Sequence, residues 1–170
     1  SKSGADELST IAELYALIEA ATYTGRFSRD DAELAEVRDT REALRRLWSL
    51  DRDAAAVEVN RMLADANALP FLTRHDHFDW HLHATSDDAP LAERMRVEAC
   101  LALADVIRSG ETGRMRVCEA EDCSGLLLDL SARAAMQHGE QVVRPAGQAA
   151  RAAVAVAHAG QLADAFAKLV

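Results

Sequence analysis

Apolar residues recur every three or four positions in four stretches of this chain, and this spacing predicts four amphipathic helices. Aromatic residues make up only 5% of the sequence, while alanine and leucine are abundant, which favours helix over sheet. Pro70 breaks the pattern before the fourth stretch, and Gly110 ends it. The residues predicted to face inward are Leu8, Ile11, Leu14 and Ile18; Leu34, Val37, Leu44, Leu47 and Trp48; Val57, Met62 and Leu63; and Leu91, Met95, Val97, Leu101, Leu103, Val106 and Ile107.

Polar residues at the helix ends place the helix boundaries. Ser28, with Asp31 three positions later, is a capping-box-like start for the second helix. The third helix is predicted over about residues 53–66 and the fourth over about residues 90–109. Cys100 falls on the apolar face of the fourth helix, where we expect it to be a small core residue.

Two other regions carry the pattern of strands. Residues 71–84 contain aromatic and alternating residues, as in Trp80-His81-Leu82-His83, and predict one or two short strands. Residues 114–118 and 126–130 predict two more strands around a turn at residues 119–125. The sequence therefore predicts a mainly α fold with a short β-hairpin segment.

The charge and the cysteine content limit the environment and the partners of the chain. A net charge of −9 argues against attraction of the whole protein to nucleic acid or to an anionic membrane. No apolar run approaches the roughly 18 residues that span a bilayer, and the chain does not open on a signal-peptide pattern. Three cysteines do not describe a disulfide framework. We expect a cytoplasmic protein with no membrane partner.

Cys118 and Cys123 make the strongest local signal for chemistry. Two cysteines separated by four residues, between two predicted strands, are half of a zinc knuckle. A structural zinc ion takes four thiolate or imidazole ligands, yet no cysteine follows Cys123 and the only later histidines are His138 and His158. The spacing alone is equally typical of two buried thiols in a hairpin.

Four histidines cluster at His75, His77, His81 and His83. On a strand, His81 and His83 point the same way, a spacing suited to metal ligation or proton transfer. The alternative is a polar strand face whose histidines bond neighbouring backbone. No glycine-rich phosphate loop is present, and no cysteine, serine or carboxylate is placed for catalysis, so we expect a protein that is not an enzyme.

Three motifs follow one another along the chain: RHDHFDWHLHA at residues 74–84, DAPLAER at 88–94 and GRMRVC at 113–118. Together they resemble the bacterial CGNR zinc-finger family, which joins an α-rich N-terminal ABATE domain to a short C-terminal zinc finger. The resemblance covers about residues 8–131. It implies an ABATE-like domain over residues 6–110 and the first half of a degenerate, zinc-ribbon-like finger over 111–131, with Cys118 and Cys123 as the first two zinc ligands.

The function that the resemblance implies is transcription regulation, because the family is classed as stress-induced transcription regulators. Its finger would contact nucleic acid or the transcription machinery. The competing interpretation is a ligand-sensing or protein-interaction domain, with a pocket near the four histidines His75, His77, His81 and His83. A hydrolase that uses these histidines is the least favoured of the three, and whether two copies form a homodimer is left open.

After Ser131 the chain departs from the family pattern. Residues 132–170 are an alanine-rich tail with 14 alanines in 39 residues, and they lack the second cysteine pair and the arginines of the finger. Methionine is encoded by ATG and a glutamine codon begins with C, so reading one base later across Met136-Gln137 gives TGC, a cysteine codon. The same shift permits arginines before this point, and Thr-Gly-Asn and Cys-Gly after it. We hypothesise that the tail is a frameshifted reading of the native finger, and we expect zinc binding to be incomplete or absent and nucleic-acid binding to be weak.

Overall fold

Four helices and two antiparallel hairpins make up the described part of the chain. The computed structural model describes residues 8–21, 23–74, 79–117 and 125–128. The elements are α1 (Ile11–Ala20), α2 (Asp31–Leu47), α3 (Arg52–Asp65), β1 (Phe71–Thr73), β2 (His81–His83), α4 (Leu91–Arg108), β3 (Met115–Val117) and β4 (Leu126–Leu128), with a short 3₁₀ turn over Thr112–Arg114 before β3. The predicted mainly α fold with a short β-hairpin is confirmed.

Helices α1, α2 and α3 each begin after a threonine or aspartate whose side chain caps the first turn. The predicted start of α2 at Ser28 is wrong, because Asp30 is the capping residue and accepts a hydrogen bond from the Glu33 N–H at 2.8 Å. Arg29 has a φ of 61°, in the left-handed region, so the helix cannot extend back to Ser28.

Helix α4 is the centre of the core, because α2 and α3 both pack along it. The predicted inward faces meet here, and Leu14, Leu44 and Val97 are fully buried. Cys100 is buried as expected, and its thiol lies 3.6 Å from the sulfur of Met62. Burial raises the pKa of the Cys100 thiol to about 12, so this thiol is neutral and behaves as an apolar core group.

Two residues that were predicted to face the core do not. Val57 is 70% exposed because it is two positions from the buried Val59, which places it roughly 200° away around the helix. Leu101 is only half-buried and does not belong to the buried face of α4. The buried residues of α3 are Ala55, Val59 and Met62, and the predicted Leu63 packs against them partly buried.

The two predicted strand regions each form a hairpin. In the first, β1 pairs with β2 so that Phe71 lies opposite His83, Leu72 opposite Leu82 and Thr73 opposite His81. The Leu69 N–H donates to the Ala84 carbonyl at 3.0 Å and extends this pairing toward the helices. The hairpin is therefore tied to the chain that enters and leaves it.

In the second hairpin β3 pairs with β4, with Val117 opposite Leu126. The predicted ligands Cys118 and Cys123 and the tail at residues 132–170 lie outside the described residues, so the zinc-ribbon-like module and the frameshift remain predictions. Within the described residues, no helix has both the length and the apolar character needed to cross a membrane.

Candidate functional site

Strand β2 brings together two of the four predicted site histidines. His81 and His83 lie on one face of the strand, with their Nε2 atoms 3.1 Å apart and their ring centroids 4.9 Å apart. His75 and His77 fall outside the described residues. The predicted spacing of His81 and His83 thus produces direct contact between the two imidazoles.

The backbone decides which nitrogen of His81 carries a proton. Its Nδ1 atom lies 2.7 Å from the carbonyl oxygen of Asp79, and a carbonyl only accepts hydrogen bonds. Nδ1 of His81 is therefore the donor. In the neutral ring the Nε2 lone pair is then directed to His83, and the two Nε2 atoms share one proton.

His83 also lines an open groove of about 710 Å³ between the β1–β2 hairpin and the start of α4. The hairpin side combines the apolar side chains of Leu69 and Phe71 with the polar ones of Thr73 and His83. A second wall, residues 84–89 and Glu93, begins beside the hairpin, where the Ala84 carbonyl accepts from the Leu69 N–H, and continues into the first turn of α4. Phe71 lies against His83, with their ring centroids 6.1 Å apart, so an aromatic and an imidazole ring form one wall.

The charge on the groove has one sign. Its described lining contains three carboxylates, those of Asp87, Asp88 and Glu93, and neither lysine nor arginine. Asp87 and Asp88 are exposed and Glu93 is half-buried beside them in the first turn of α4. The groove therefore combines the apolar side chains of Leu69 and Phe71 with three carboxylates, an arrangement that favours cations with an apolar body.

A buried arginine holds the acidic wall in place. Arg94 on α4 is only 4% exposed, and its Nε donates to the Ala89 carbonyl at 3.1 Å. Its two terminal nitrogens donate to the carbonyls of Thr24 and Arg26 in the loop after α1. The same loop is tied to the wall directly, since the Arg26 N–H donates to the Asp87 carbonyl at 2.9 Å.

Aromatic rings enclose the Arg94 guanidinium, whose central carbon lies 5.4 Å from the ring centroid of Phe27 and 5.9 Å from that of Tyr23. The Tyr23 hydroxyl donates to Glu98 on α4. Burial, followed by the Glu98 carboxylate, raises the pKa of Tyr23 well above its usual range, so the hydroxyl keeps its proton and remains a donor.

Gly25 lets the loop approach Arg94 this closely. Its φ is +94°, and a Cβ atom there would lie 2.6 Å from Nη1 of Arg94 and 2.8 Å from the Asp87 carbonyl oxygen. A side chain at this position would therefore meet both the arginine and the groove wall.

A second tyrosine–carboxylate pair joins α1 to the start of α2. Glu33 is buried and accepts hydrogen bonds from the N–H groups of Ser28 and Arg29, both at 2.9 Å, and from the Tyr15 hydroxyl. Burial and then the hydrogen bond to Glu33 raise the pKa of Tyr15 to about 12.

Sequence reasoning identified the histidines and missed Arg94 and Gly25. A signal for Arg94 was present, since this arginine falls between Leu91, Ala92 and Met95 on a face otherwise predicted to be apolar. A charged residue in such a stripe needs a polar partner to be buried. That three carbonyls from two separate loops supply it could not be predicted, because those loops lie far apart in the sequence.

The described residues contain no group of three or more histidine, cysteine, aspartate and glutamate side chains that could hold a metal ion. The predicted ligands Cys118 and Cys123 lie outside the described residues. Zinc binding at these cysteines stays a prediction.

Comparison with known proteins identifies the family of the helical region. The family model ABATE, described as "Putative stress-induced transcription regulator", matches residues 1–110 of the 170-residue chain. No curated protein and no solved structure matches the chain. The matched segment contains α1 to α4, the β1–β2 hairpin, the groove and the Arg94 contacts. The chain therefore belongs to the ABATE family.

Proposed function

We propose that this chain is a transcription regulator whose ABATE domain senses a small organic cation bound in the groove between the β1–β2 hairpin and the start of α4. The observation that carries the proposal is the groove itself, an open space of about 710 Å³ with apolar side chains and three carboxylates. Small-molecule sites in proteins typically measure roughly 300–1,000 Å³ and combine apolar walls with a few polar groups.

The charges of the lining specify the class of ligand. Asp87, Asp88 and Glu93 attract a cationic group such as an amidinium or an ammonium. Phe71 is about half exposed and offers a ring face to the same ligand, which adds a cation–π or stacking contact. An anion of the same size would be repelled by the three carboxylates of the lining.

The two walls of the groove differ in how firmly they are held. The wall at residues 84–89 is fixed to the loop after α1 through Arg94 and through the Arg26–Asp87 hydrogen bond. The hairpin wall consists of two strands of three residues each. A two-stranded hairpin is only marginally stable on its own, so a ligand that bridges the walls would order the hairpin against a rigid support.

Helix α4 offers a route from the groove to the C-terminal module. It begins at Leu91 beside the groove and runs for 18 residues, about 27 Å at 1.5 Å per residue. The turn after it leads directly into β3. In this proposal a change at the groove alters the position of the β3–β4 hairpin.

The output in this proposal is contact of the C-terminal module with nucleic acid or the transcription machinery in the cytoplasm, and the chain is not an enzyme. In the family, zinc would organise that module, with Cys118 and Cys123 as half of the ligand set. The family description and the pairing of Val117 with Leu126 support this proposal. Because the second cysteine pair is missing and the net charge is −9, we expect this chain to bind DNA weakly and with a small salt dependence.

A pair of probes that differ in charge and share a ring tests the proposed ligand class. Thermal unfolding of the full chain should shift upward with benzamidinium and remain unchanged with benzoate at equal concentration, because only a ligand of the folded state raises the midpoint. The triple variant Asp87→Asn, Asp88→Asn, Glu93→Gln should weaken benzamidinium binding about tenfold, or ~1.4 kcal/mol.

The matched control also removes three negative charges, but from exposed positions on α1 and α2. The variant Glu19→Gln, Glu36→Gln, Asp39→Asn should bind benzamidinium within about twofold of the parent, because these carboxylates lie outside the groove. Equal stabilisation by benzoate, or an equal loss in the control variant, would show that net charge and not the groove determines binding.

A further inference from the structure

The two imidazoles of β2 converge on one point beside the groove. His81 and His83 are two positions apart on a strand, so their side chains project from the same face. Their Nε2 atoms lie 3.1 Å apart. Cation binding in the groove does not require this contact between the imidazoles, since His83 lines the groove and His81 is outside its lining.

The separation of the two nitrogens matches that of two ligands on one metal ion. Metal–imidazole bonds of about 2.0–2.1 Å place two nitrogens ~2.9 Å apart at a right angle and ~3.3 Å apart at a tetrahedral angle. The observed 3.1 Å lies between these values. The separation therefore suits a metal ion bound to both nitrogens in place of the shared proton.

A backbone hydrogen bond orients the first of the two ligands. Nδ1 of His81 lies 2.7 Å from the Asp79 carbonyl, so this nitrogen carries the proton and Nε2 presents its lone pair toward His83. Metal-binding histidines characteristically make this second hydrogen bond, which fixes the tautomer and the ring orientation. Pairing with Thr73 and Phe71 on β1 holds the backbone of both histidines in register.

We infer that His81 and His83 form a two-imidazole chelating site for a divalent transition-metal ion, with the remaining coordination positions taken by water or by a small ligand. Imidazole nitrogen suits Cu²⁺, Ni²⁺ and Zn²⁺ and excludes Ca²⁺ and Mg²⁺, which take oxygen ligands. This site is separate from the cysteines of the family's zinc finger and lies within the ABATE domain.

The test uses the full chain carrying Cys118→Ser and Cys123→Ser, so that no thiolate from the finger region contributes. Calorimetric titration with Ni²⁺ should show one site per chain. His81→Ala and His83→Ala should each weaken Ni²⁺ binding at least tenfold, because each removes one of the two protein ligands. The control variant His138→Ala, His158→Ala also removes two imidazoles, and it should bind Ni²⁺ within about twofold of the parent.

A measurement without substitutions at the site covers the case in which a variant misfolds. In ¹⁵N NMR spectra of the histidine rings, Zn²⁺ should shift the Nε2 signals of His81 and His83 together and leave their Nδ1 signals in the protonated range. Ni²⁺ affinity unchanged in both single variants, or Zn²⁺ shifts confined to other imidazoles, would overturn the inference. Either result would leave the cation-binding groove untouched, since benzamidinium binding is measured without metal.

Discussion

Leucines are buried in the helical core and exposed in the β1–β2 hairpin. In the core, Leu44 is fully buried among the residues of α2 and α4. In the hairpin, Leu72 is 64% exposed, and its cross-strand partner Leu82 is exposed with it. Trp80, just before β2, is exposed as well. Apolar burial therefore stabilises the helices and contributes little to the hairpin.

This difference separates the part of the molecule that supplies stability from the part proposed to bind ligands. A marginal hairpin against a rigid wall can change its position without unfolding the core, which is characteristic of sensing elements. Arg94 stands at the boundary, because it belongs to the core helix α4 and holds the groove wall at residues 84–89. Substitutions in the core, at the boundary and in the hairpin should therefore have effects of decreasing size.

Two leucine substitutions test the extremes of the comparison. Leu44→Ala should lower the free energy of unfolding by about 3–5 kcal/mol, because it leaves a cavity in a fully buried site. Leu72→Ala removes the same atoms from an exposed site and should change the free energy of unfolding by less than about 0.5 kcal/mol. Urea denaturation measures both. Similar losses in the two variants would mean that the hairpin is part of the core.

Arg94→Met tests the boundary. This substitution should lower the free energy of unfolding by about 2–4 kcal/mol, because the carbonyls of Thr24, Arg26 and Ala89 lose their donor while the apolar volume is largely retained. Arg94→Lys should recover only a fraction of this loss, since one ammonium cannot reproduce the planar fork of a guanidinium. A fully stable Arg94→Met protein, again in urea, would show that the two loops are held by other contacts.

Most core positions and the common strand face of the two histidines were predicted correctly, because both depend on local periodicity. Helical spacing located Leu14, Leu44 and Val97 in the core, and strand alternation placed His81 beside His83. Val57 was misplaced because a valine in a short apolar stripe was assigned to the wrong side of α3. Such errors follow from reading the face of a helix without knowing which neighbour covers it.

The groove and its support could not be read from the sequence, because they depend on contacts between distant segments. Arg94 meets carbonyls about seventy positions earlier in the chain, and the lack of a side chain at Gly25 matters because that arginine and the Asp87 carbonyl lie against it. The carboxylates of Asp87 and Glu93 look like an ordinary helix start until the hairpin is placed beside them.

Alanine substitutions at two glycines distinguish the steric cost of the close contact with Arg94 from the cost of a positive φ. Gly25→Ala should destabilise by about 2 kcal/mol, because its added Cβ meets Nη1 of Arg94 at 2.6 Å and the φ of +94° is unfavourable for alanine. Gly110→Ala has a φ of +72° but no atom within 4 Å of the added Cβ, so it should cost only about 1 kcal/mol. Thermal unfolding monitored by circular dichroism compares them, and equal costs would mean that the close approach at Gly25 is unimportant.

A further effect is expected at high pH and concerns only the helical side, where both tyrosines of the chain lie. The pKa of Tyr15 is raised to about 12 by burial and by its hydrogen bond to Glu33. The unfolded chain loses this proton near pH 10, whereas the folded chain retains it, so the contribution is present below about pH 10 and is lost as the pH rises toward 12. Tyr15→Phe should flatten the decline in stability between pH 10 and 12. The free energy of unfolding is measured by denaturant titration at each pH. An equally steep decline with pH in the variant and the parent would contradict the assignment.

Chemical-shift mapping with benzamidinium tests most directly whether the boundary between core and hairpin is a binding site. In ¹⁵N-labelled full chain, the account predicts saturable shifts of the backbone amides of Phe71 and Thr73, of residues 84–89 and of Glu93, which line the groove. The amides of α2 within the core should not move, and benzoate should produce no shifts in either region. Shifts spread evenly over the acidic surface, or the same pattern with benzoate, would contradict the account.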